Sequence, residues 1–349
     1  MIEALPFGAL AALIGLVGGI VMGLAARLGD FCTLGAIEMA LYGEDQRRLR
    51  LWGVVLGTAI AATWIGTAAG LIDPLGSFYH QIRWNPLASV LGGLVFGYGM
   101  AMAGNCGFGA LVRVGGGDLR SLVVVVVMGI AGFVALNGPL GPLRVAVFPQ
   151  PDATGPQGIA ADVHALTGLP PLATALILSA LMVGWALRHE GLRGQPRMIL
   201  WGIAAGLAVA GTFAGTTWLW RESMGMVLVE GPSFTAPVGR TLIWLMTSSA
   251  GGISFSVGSV VGVMTGALIG SILRGLFRWE ACEDPRELGR QVGGAVLMGI
   301  GGVVAMGCSI GQGLTGFAML AWSGPVTLAA IGVGATIGLR RLIGGFQPD

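Results

Sequence analysis

Apolar residues dominate this chain in long blocks, with none of the strict alternation expected of half-buried strands. Nine blocks approach the length of a membrane span: about 7–27, 49–72, 87–104, 120–137, 170–188, 197–218, 256–277, 289–306 and 324–342. A helix needs roughly 20 apolar residues to cross the hydrocarbon core, so each is predicted to span. Four shorter blocks remain, at about 32–42, 106–114, 235–248 and 308–320. They are too short to cross and too apolar for exposed loops, so short helices dipping in from either face are expected. Irregular backbone at that depth is tolerated only where protein buries it or it lines a cavity. The fold class predicted is all-α and polytopic, with about nine transmembrane helices and short re-entrant helices.

A repeat underlies the blocks. Counting from a first Gly, there is a Gly at +5, a Cys at +14 and a Gly at +17. The copies are Gly18, Gly23, Cys32, Gly35; Gly92, Gly97, Cys106, Gly109; and Gly294, Gly299, Cys308, Gly311. The Cys32-to-Cys106 interval, counted back from Cys308, puts a fourth position at Phe234, inside the Gly/Pro break 231–239, GPSFTAPVG. Segments one to four and six to nine form matched halves. The fifth segment reverses the sense of the second half, which gives an inverted repeat. The divisions are 1–138 for the first half, 139–190 for an outer loop and linking helix, and 191–349 for the second half. Within the middle region, 138–169 is Pro/Gly-rich and reads as a linker with a short helix near 159–166; its other reading is a cover over the external entrance.

Composition agrees with the blocks. Of 349 residues, 54% are hydrophobic and 10% charged, against about 25% charged in soluble domains. All 19 basic residues are Arg, and the net charge of +2 gives no sign of a nucleic-acid partner. With the N-terminus outside, fifteen arginines fall on the cytoplasmic side and four (Arg83, Arg144, Arg221 and Arg240) outside. That bias predicts a periplasmic N-terminus and a cytoplasmic C-terminus. The start MIEALPFG lacks the basic region of a cleaved signal peptide. His80, His164 and His189 are widely separated, no C-x-x-C pair occurs, and no ATP-binding loop is present, so no metal, cofactor or hydrolysis is expected.

The candidate chemistry lies in the loops GDFCTLGA, GNCGFGA and GCSIGQG. Gly lets backbone approach a ligand closely. A helix starting just after each Cys would turn N–H groups toward the break and suit an anion. The candidate path residues are Cys32, Thr33, Asn105, Cys106, Cys308, Ser309 and Gln312. Cys also packs well as a small buried side chain, but three at one repeat position favour a shared role. Cys282 matches no repeat position and reads as incidental. Asp30 either repels an anion or holds a loop N–H. Arg113 either caps a short helix or draws anions from the cytoplasm.

On these Cys loops the chain resembles the YeeE/YedE family of bacterial sulfur-compound transporters over nearly its whole length. The resemblance implies thiosulfate uptake across the inner membrane through an hourglass-shaped protein. It further implies that Cys32, Cys106 and Cys308 line the path and relay the ion through S–H contacts. A thiolate would repel a dianion, so these thiols are expected to stay protonated. Some family members work with a small cytoplasmic sulfur-carrier protein; this chain ends at Asp349, so the carrier is expected as a separate chain. Family members also handle other sulfur or selenium species. Two other readings stay open: a membrane sulfurtransferase that forms a persulfide, and a structural subunit indifferent to the cysteines.

Overall fold

The structure is a computed structural model and describes residues 6–249, 251–281 and 284–344. Cys282 lies outside the described residues. The helices are α1 (Phe7–Leu28), α2 (Thr33–Tyr42), α3 (Arg47–Ala68), α4 (Phe78–Gln81), α5 (Pro86–Ala103), α6 (Gly107–Gly115), α7 (Leu119–Leu136), α8 (Gly141–Val147), α9 (Ile159–Thr167), α10 (Pro171–Leu187), α11 (Glu190–Arg193), α12 (Pro196–Glu222), α13 (Ala236–Thr247), α14 (Phe255–Leu273), α15 (Pro285–Val304) and α16 (Ser323–Gly344). No strand occurs among the described residues.

All nine predicted long blocks appear as helices, namely α1, α3, α5, α7, α10, α12, α14, α15 and α16. Among the described residues, seven helical stretches meet the length and hydropathy expected of a span, and the bent pair α9–α10 adds an eighth. The helix α15 falls short because glycines and the charged first turns, with Arg286, Glu287 and Arg290, dilute its apolar content. The protein is an all-α polytopic membrane protein. Three of the short blocks are α2, α6 and α13. The fourth differs from expectation: Gly311–Gly316 is a π-helical turn. With Gly at 311, 313 and 316, little intrinsic preference holds the tighter α-helical spacing.

Local signals explain the helix starts. At α5, the Asn85 side chain accepts from the Ala88 N–H at 3.2 Å, and Pro86 occupies the first turn. At α7, the Asp118 carboxylate accepts from the backbone N–H groups of Arg120 and Ser121. Burial works against the ionised Asp118, but bonds from Ser121 and Arg120 outweigh it and hold the carboxyl below its usual range.

Glycines set the packing. Positions 15, 19 and 23 of α1 face 258, 262 and 266 of α14. A Cβ on Gly19 would stand 2.4 Å from Ser259 O, and one on Gly262 would stand 2.3 Å from Leu16 O. Backbones this close gain dispersion contacts that larger residues would forbid, the usual basis of helix association in lipid.

The packing maps onto itself when α1, α3, α5 and α7 are exchanged with α12, α14, α15 and α16. The helix α1 packs on α14 as α12 packs on α3, and α5 packs on α16 as α15 packs on α7. The pairs α1–α12 and α5–α15 map onto themselves. In the latter, Gly92 meets Gly301 and Gly99 meets Gly294, so matched helices run antiparallel. This register is the internal inversion expected from the repeat. The helix α10 breaks the pattern by packing on α3, where Ser179 Oγ donates to Gly57 O at 2.6 Å.

The segment 138–169 is no slack linker. Gln157 Nε2 donates to Ile82 O at 2.6 Å, its Oε1 accepts from Trp84 N, and Ile159 N donates to Leu320 O at 2.7 Å. Trp322 Nε1 donates to Asp162 at 2.6 Å. His80 sits between two carbonyls, 2.9 Å from Gln157 O and 3.0 Å from Met319 O. Burial holds His80 below its ordinary value, with the two carbonyl bonds opposing it. The unfolded chain therefore takes up the proton first. The neutral ring's contribution is complete above the ordinary histidine value and declines as pH falls through it. His80→Gln is expected to remove that part of the loss in thermal midpoint between about pH 7 and about pH 5, measured on purified protein in detergent. An unchanged pH profile would contradict this assignment.

Candidate functional site

Each repeat cysteine stands in a helix break; Cys32 and Cys106 are the N-caps of α2 and α6, while Cys308 makes the same sulfur bond two residues ahead of Ile310, the cap of the π-helical turn. Gly35 N donates to Cys32 Sγ at 3.5 Å, Gly109 N to Cys106 Sγ at 3.3 Å, and Gly311 N to Cys308 Sγ at 3.3 Å. The Cys-to-Gly spacing of the repeat is thus the spacing of an N-cap to its third helical residue. One N–H of each break is therefore already held by sulfur, where the sequence suggested it would face a ligand. Neighbours crowd the glycine at Gly311, where a Cβ would stand 2.4 Å from Ser233 Oγ and 3.0 Å from its Cβ; at Gly35 a Cβ would meet only the movable end of the Arg48 side chain, at 2.9 Å.

The three breaks converge. Cys106 is fully buried, interacts with the Ser309 hydroxyl, and lies within electrostatic reach of both Cys32 and Cys308. Thr33 Oγ1 donates to Ser309 Oγ at 3.2 Å, joining the first and last Cys loops across 276 positions of chain. Cys308 is 1% exposed, and Cys32 is partly exposed. Gln312 is buried; its Nε2 donates to Met306 O at 3.2 Å, and its Oε1 has no hydrogen-bond partner. Asn105 Nδ2 donates to Ser121 Oγ at 3.4 Å, and its Oδ1 is likewise buried without a partner. The structure therefore gathers Cys32, Thr33, Cys106, Cys308 and Ser309, with Asn105 and Gln312 flanking them along the chain.

The fourth break lies where the spacing placed it, shifted by one residue. Thr235, not Phe234, precedes α13, and it makes no side-chain cap bond. The Thr235 hydroxyl is buried and unpartnered. Twelve residues separate α12 from Thr235, a longer connection than at the other breaks.

Two vestibules approach the cluster. One cavity, of about 280 Å³, is lined by Arg144, Gln150, Glu230, Ser233, Thr235, Arg240, Met306 and Gly307, among others. It ends one residue short of Cys308. Burial raises the Glu230 carboxyl above its usual range, and Arg240, 3.4 Å away, counteracts this. Since Arg144 and Gln150 line this cavity, the segment 138–169 helps to wall it. The other cavity, of about 240 Å³, is lined by Cys32, Asn105 and Gly109 together with Arg27, Asp30, Arg48, Arg113 and Arg274. Asp30 is ion-paired with Arg274 at 3.3 Å and so does not stand as a free negative charge.

A sealed layer separates the vestibules. Phe31 and Phe108 have ring centroids 6.1 Å apart, and Phe108 and Phe234 5.2 Å apart. All three are at most 2% exposed. Tyr79 adds a phenol that donates to Gly311 O in the last Cys loop. The sequence reading missed Phe31, Tyr79 and Phe108, and named Phe234 only as the fourth repeat position. For Phe31 and Phe234 a signal existed: each immediately precedes its short helix's cap.

Two opposed vestibules that close on a buried cluster at the meeting point of inverted helix breaks define a membrane transporter. A family model described as sulphur transport matches residues 28–337. The chain belongs to this sulphur transport family, the YeeE/YedE family. Among similar proteins, the thiosulfate transporter TsuA of Escherichia coli (strain K12) is 26% identical over 326 residues, covering 90% of this chain and 90% of that protein. The thiosulfate transporter TsuA of Spirochaeta thermophila is 26% identical over 325 residues, covering 88% of this chain and 92% of that protein.

Proposed function

We propose that the protein carries thiosulfate, or a close sulfur oxyanion, inward across the bacterial inner membrane through the cysteine cluster. The observation that carries this reading is Cys106, fully buried and within electrostatic reach of both Cys32, which lines one vestibule, and Cys308. Both similar proteins are named thiosulfate transporters. The vestibule with Arg144 and Arg240 is periplasmic and the one with Cys32 cytoplasmic, in keeping with the arginine bias. The N-terminus is then periplasmic and the C-terminus cytoplasmic. The matched halves, 1–138 and 191–349, each supply two breaks, with 139–190 reversing the second half.

A dianion entering the sealed layer loses its hydration, which costs far more than any single contact returns. The three neutral thiols each offer a weak S–H donor, and Thr33, Ser309, Asn105 and Gln312 add polar contacts. Spread along the chain of breaks, they let the ion exchange one set of contacts for the next. The buried, unpartnered Thr235 hydroxyl is a donor held in reserve, and the Gln312 amide keeps a second N–H beyond the one it gives to Met306 O. The protein acts as a transporter and not as a sulfurtransferase. A separate small cytoplasmic sulfur-carrier protein takes the product.

The test is labelled thiosulfate uptake into vesicles containing the purified protein, with unlabelled competitors added on the outer side. Thiosulfate is expected to compete fully, sulfite and selenite less, and sulfate least. Sulfate competing as well as thiosulfate would contradict selection by sulfur. Uptake no faster than in protein-free vesicles would contradict transport itself.

A further inference from the structure

The vestibule below Cys32 holds more positive charge than its structural bonds use. Arg27, Arg48, Arg113 and Arg274 line it, with Asp30 as its one lining carboxylate. Asp30 is taken by Arg274, whose Nη2 also donates to Leu28 O at 3.0 Å. Arg27 Nη2 donates to Val112 O at 3.2 Å at the end of α6, but its Nε is buried and has no hydrogen-bond partner. Neither the Arg48 nor the Arg113 guanidinium has a hydrogen-bond or ion-pair partner among the described residues. Arg113 and Arg274 are near enough to repel Arg27. The carboxylates that offset this from beyond the cavity, Asp118 and Glu280, are already paired with Arg120, and Glu280 also with Arg278.

Guanidiniums crowded into a partly enclosed cavity repel one another, and a bound anion relieves that repulsion. Each guanidinium also presents a planar fork suited to two oxygens of an oxyanion. We infer that Arg27, Arg48 and Arg113 form an anion-binding site for a small tetrahedral dianion at the exit of the cysteine path. This deepens the transport reading and rests on it for the word exit; the binding itself does not depend on it. The site holds the ion by charge and geometry and has no means of recognising a sulfane sulfur. It therefore takes sulfate as well as thiosulfate, in contrast to the cysteine layer. Its role is to draw the ion out of the sealed layer and hold it in the vestibule until release.

The experiment titrates sulfate into the purified, detergent-solubilised protein by calorimetry, at low and high ionic strength. The wild type is expected to bind, more weakly at high salt. Arg48→Gln combined with Arg113→Gln is expected to weaken binding at least about tenfold. Arg113→Lys, which keeps the charge, guards against a folding artefact and is expected to lose less. Cys106→Ala is expected to leave sulfate affinity within about twofold. Unchanged sulfate affinity in the double glutamine variant would overturn the site. If Cys106→Ala retains uptake while the arginine variant loses sulfate, the cysteine path fails and the anion site stands. If Cys106→Ala loses uptake while the arginine variant keeps sulfate, the site fails and the path stands.

Discussion

Replacing Cys106 by Ala is expected to lower the initial rate of thiosulfate uptake by about 10- to 100-fold in vesicles, with the protein still folded. Cys106 is fully buried, within electrostatic reach of the other two cysteines and against Ser309, so no solvent reaches the gap its thiol would leave. A hydrogen bond to a charged group is worth roughly 1.5–3 kcal/mol, and 1.4 kcal/mol corresponds to a factor of ten. Cys32 is partly exposed to the arginine-lined vestibule, where water can substitute, so Cys32→Ala is expected to have the smaller effect. The removed sulfur also capped α6 through Gly109. Cys106→Ser restores an acceptor there. It keeps the cap and puts a hydroxyl donor in place of S–H, so it isolates what sulfur itself adds: selection by sulfur predicts less than full uptake. Wild-type uptake in Cys106→Ala would remove the cysteine from the mechanism.

The second large effect concerns stability. Gly97→Val is expected to destabilise the protein by about 3 kcal/mol or more and to lower the yield of folded material. A Cβ at Gly97 would stand 2.1 Å from Ile331 O and 2.8 Å from Ala335 N on α16, and both are backbone atoms of a packed helix that cannot step aside. Gly332 on the same helix provides the comparison. A Cβ there meets nothing within 4 Å, so Gly332→Ala is expected to be neutral or to stabilise by up to about 1 kcal/mol through helix propensity. Thermal unfolding of both variants in one detergent checks the pair. A Gly97→Val protein with the wild-type midpoint would contradict the close-packed crossing.

The long helices were legible because burial in lipid demands continuous apolar runs, and no water-filled alternative blurs them. The Cys-to-Gly spacing was legible because it records a local cap, as in Cys106 and Gly109. The glycines at +5, Gly23, Gly97 and Gly299, were legible as repeats, though their partners on α14, α16 and α7 were not. What escaped the sequence reading depends on long-range convergence. Arg27, Arg48, Arg113 and Arg274 come from four separate segments, and only folding brings them to one cavity. Phe31, Phe108 and Phe234 look like ordinary apolar residues until their rings meet. The hydrogen bond from Thr33 to Ser309 spans nearly the whole chain, so no local pattern announces it. The bracing of 138–169 was hidden because Pro and Gly mark turns without saying what the turns bind. Gln157, which fastens that segment, carries no motif. The one-residue error at the fourth break came from carrying the 74-residue Cys32-to-Cys106 interval onto the second half, where Thr235 to Cys308 is 73.

The central claim is that the substrate ion passes through the cysteine cluster, and locating the ion tests this most directly. The measurement is a structure of the protein with thiosulfate bound, the anion identified by the anomalous scattering of its sulfurs. The account predicts an anion in contact with Cys106 Sγ, with Cys32 or Cys308 as its second thiol neighbour. An anion crossing the protein by a route that leaves Cys106 dry and untouched would contradict it.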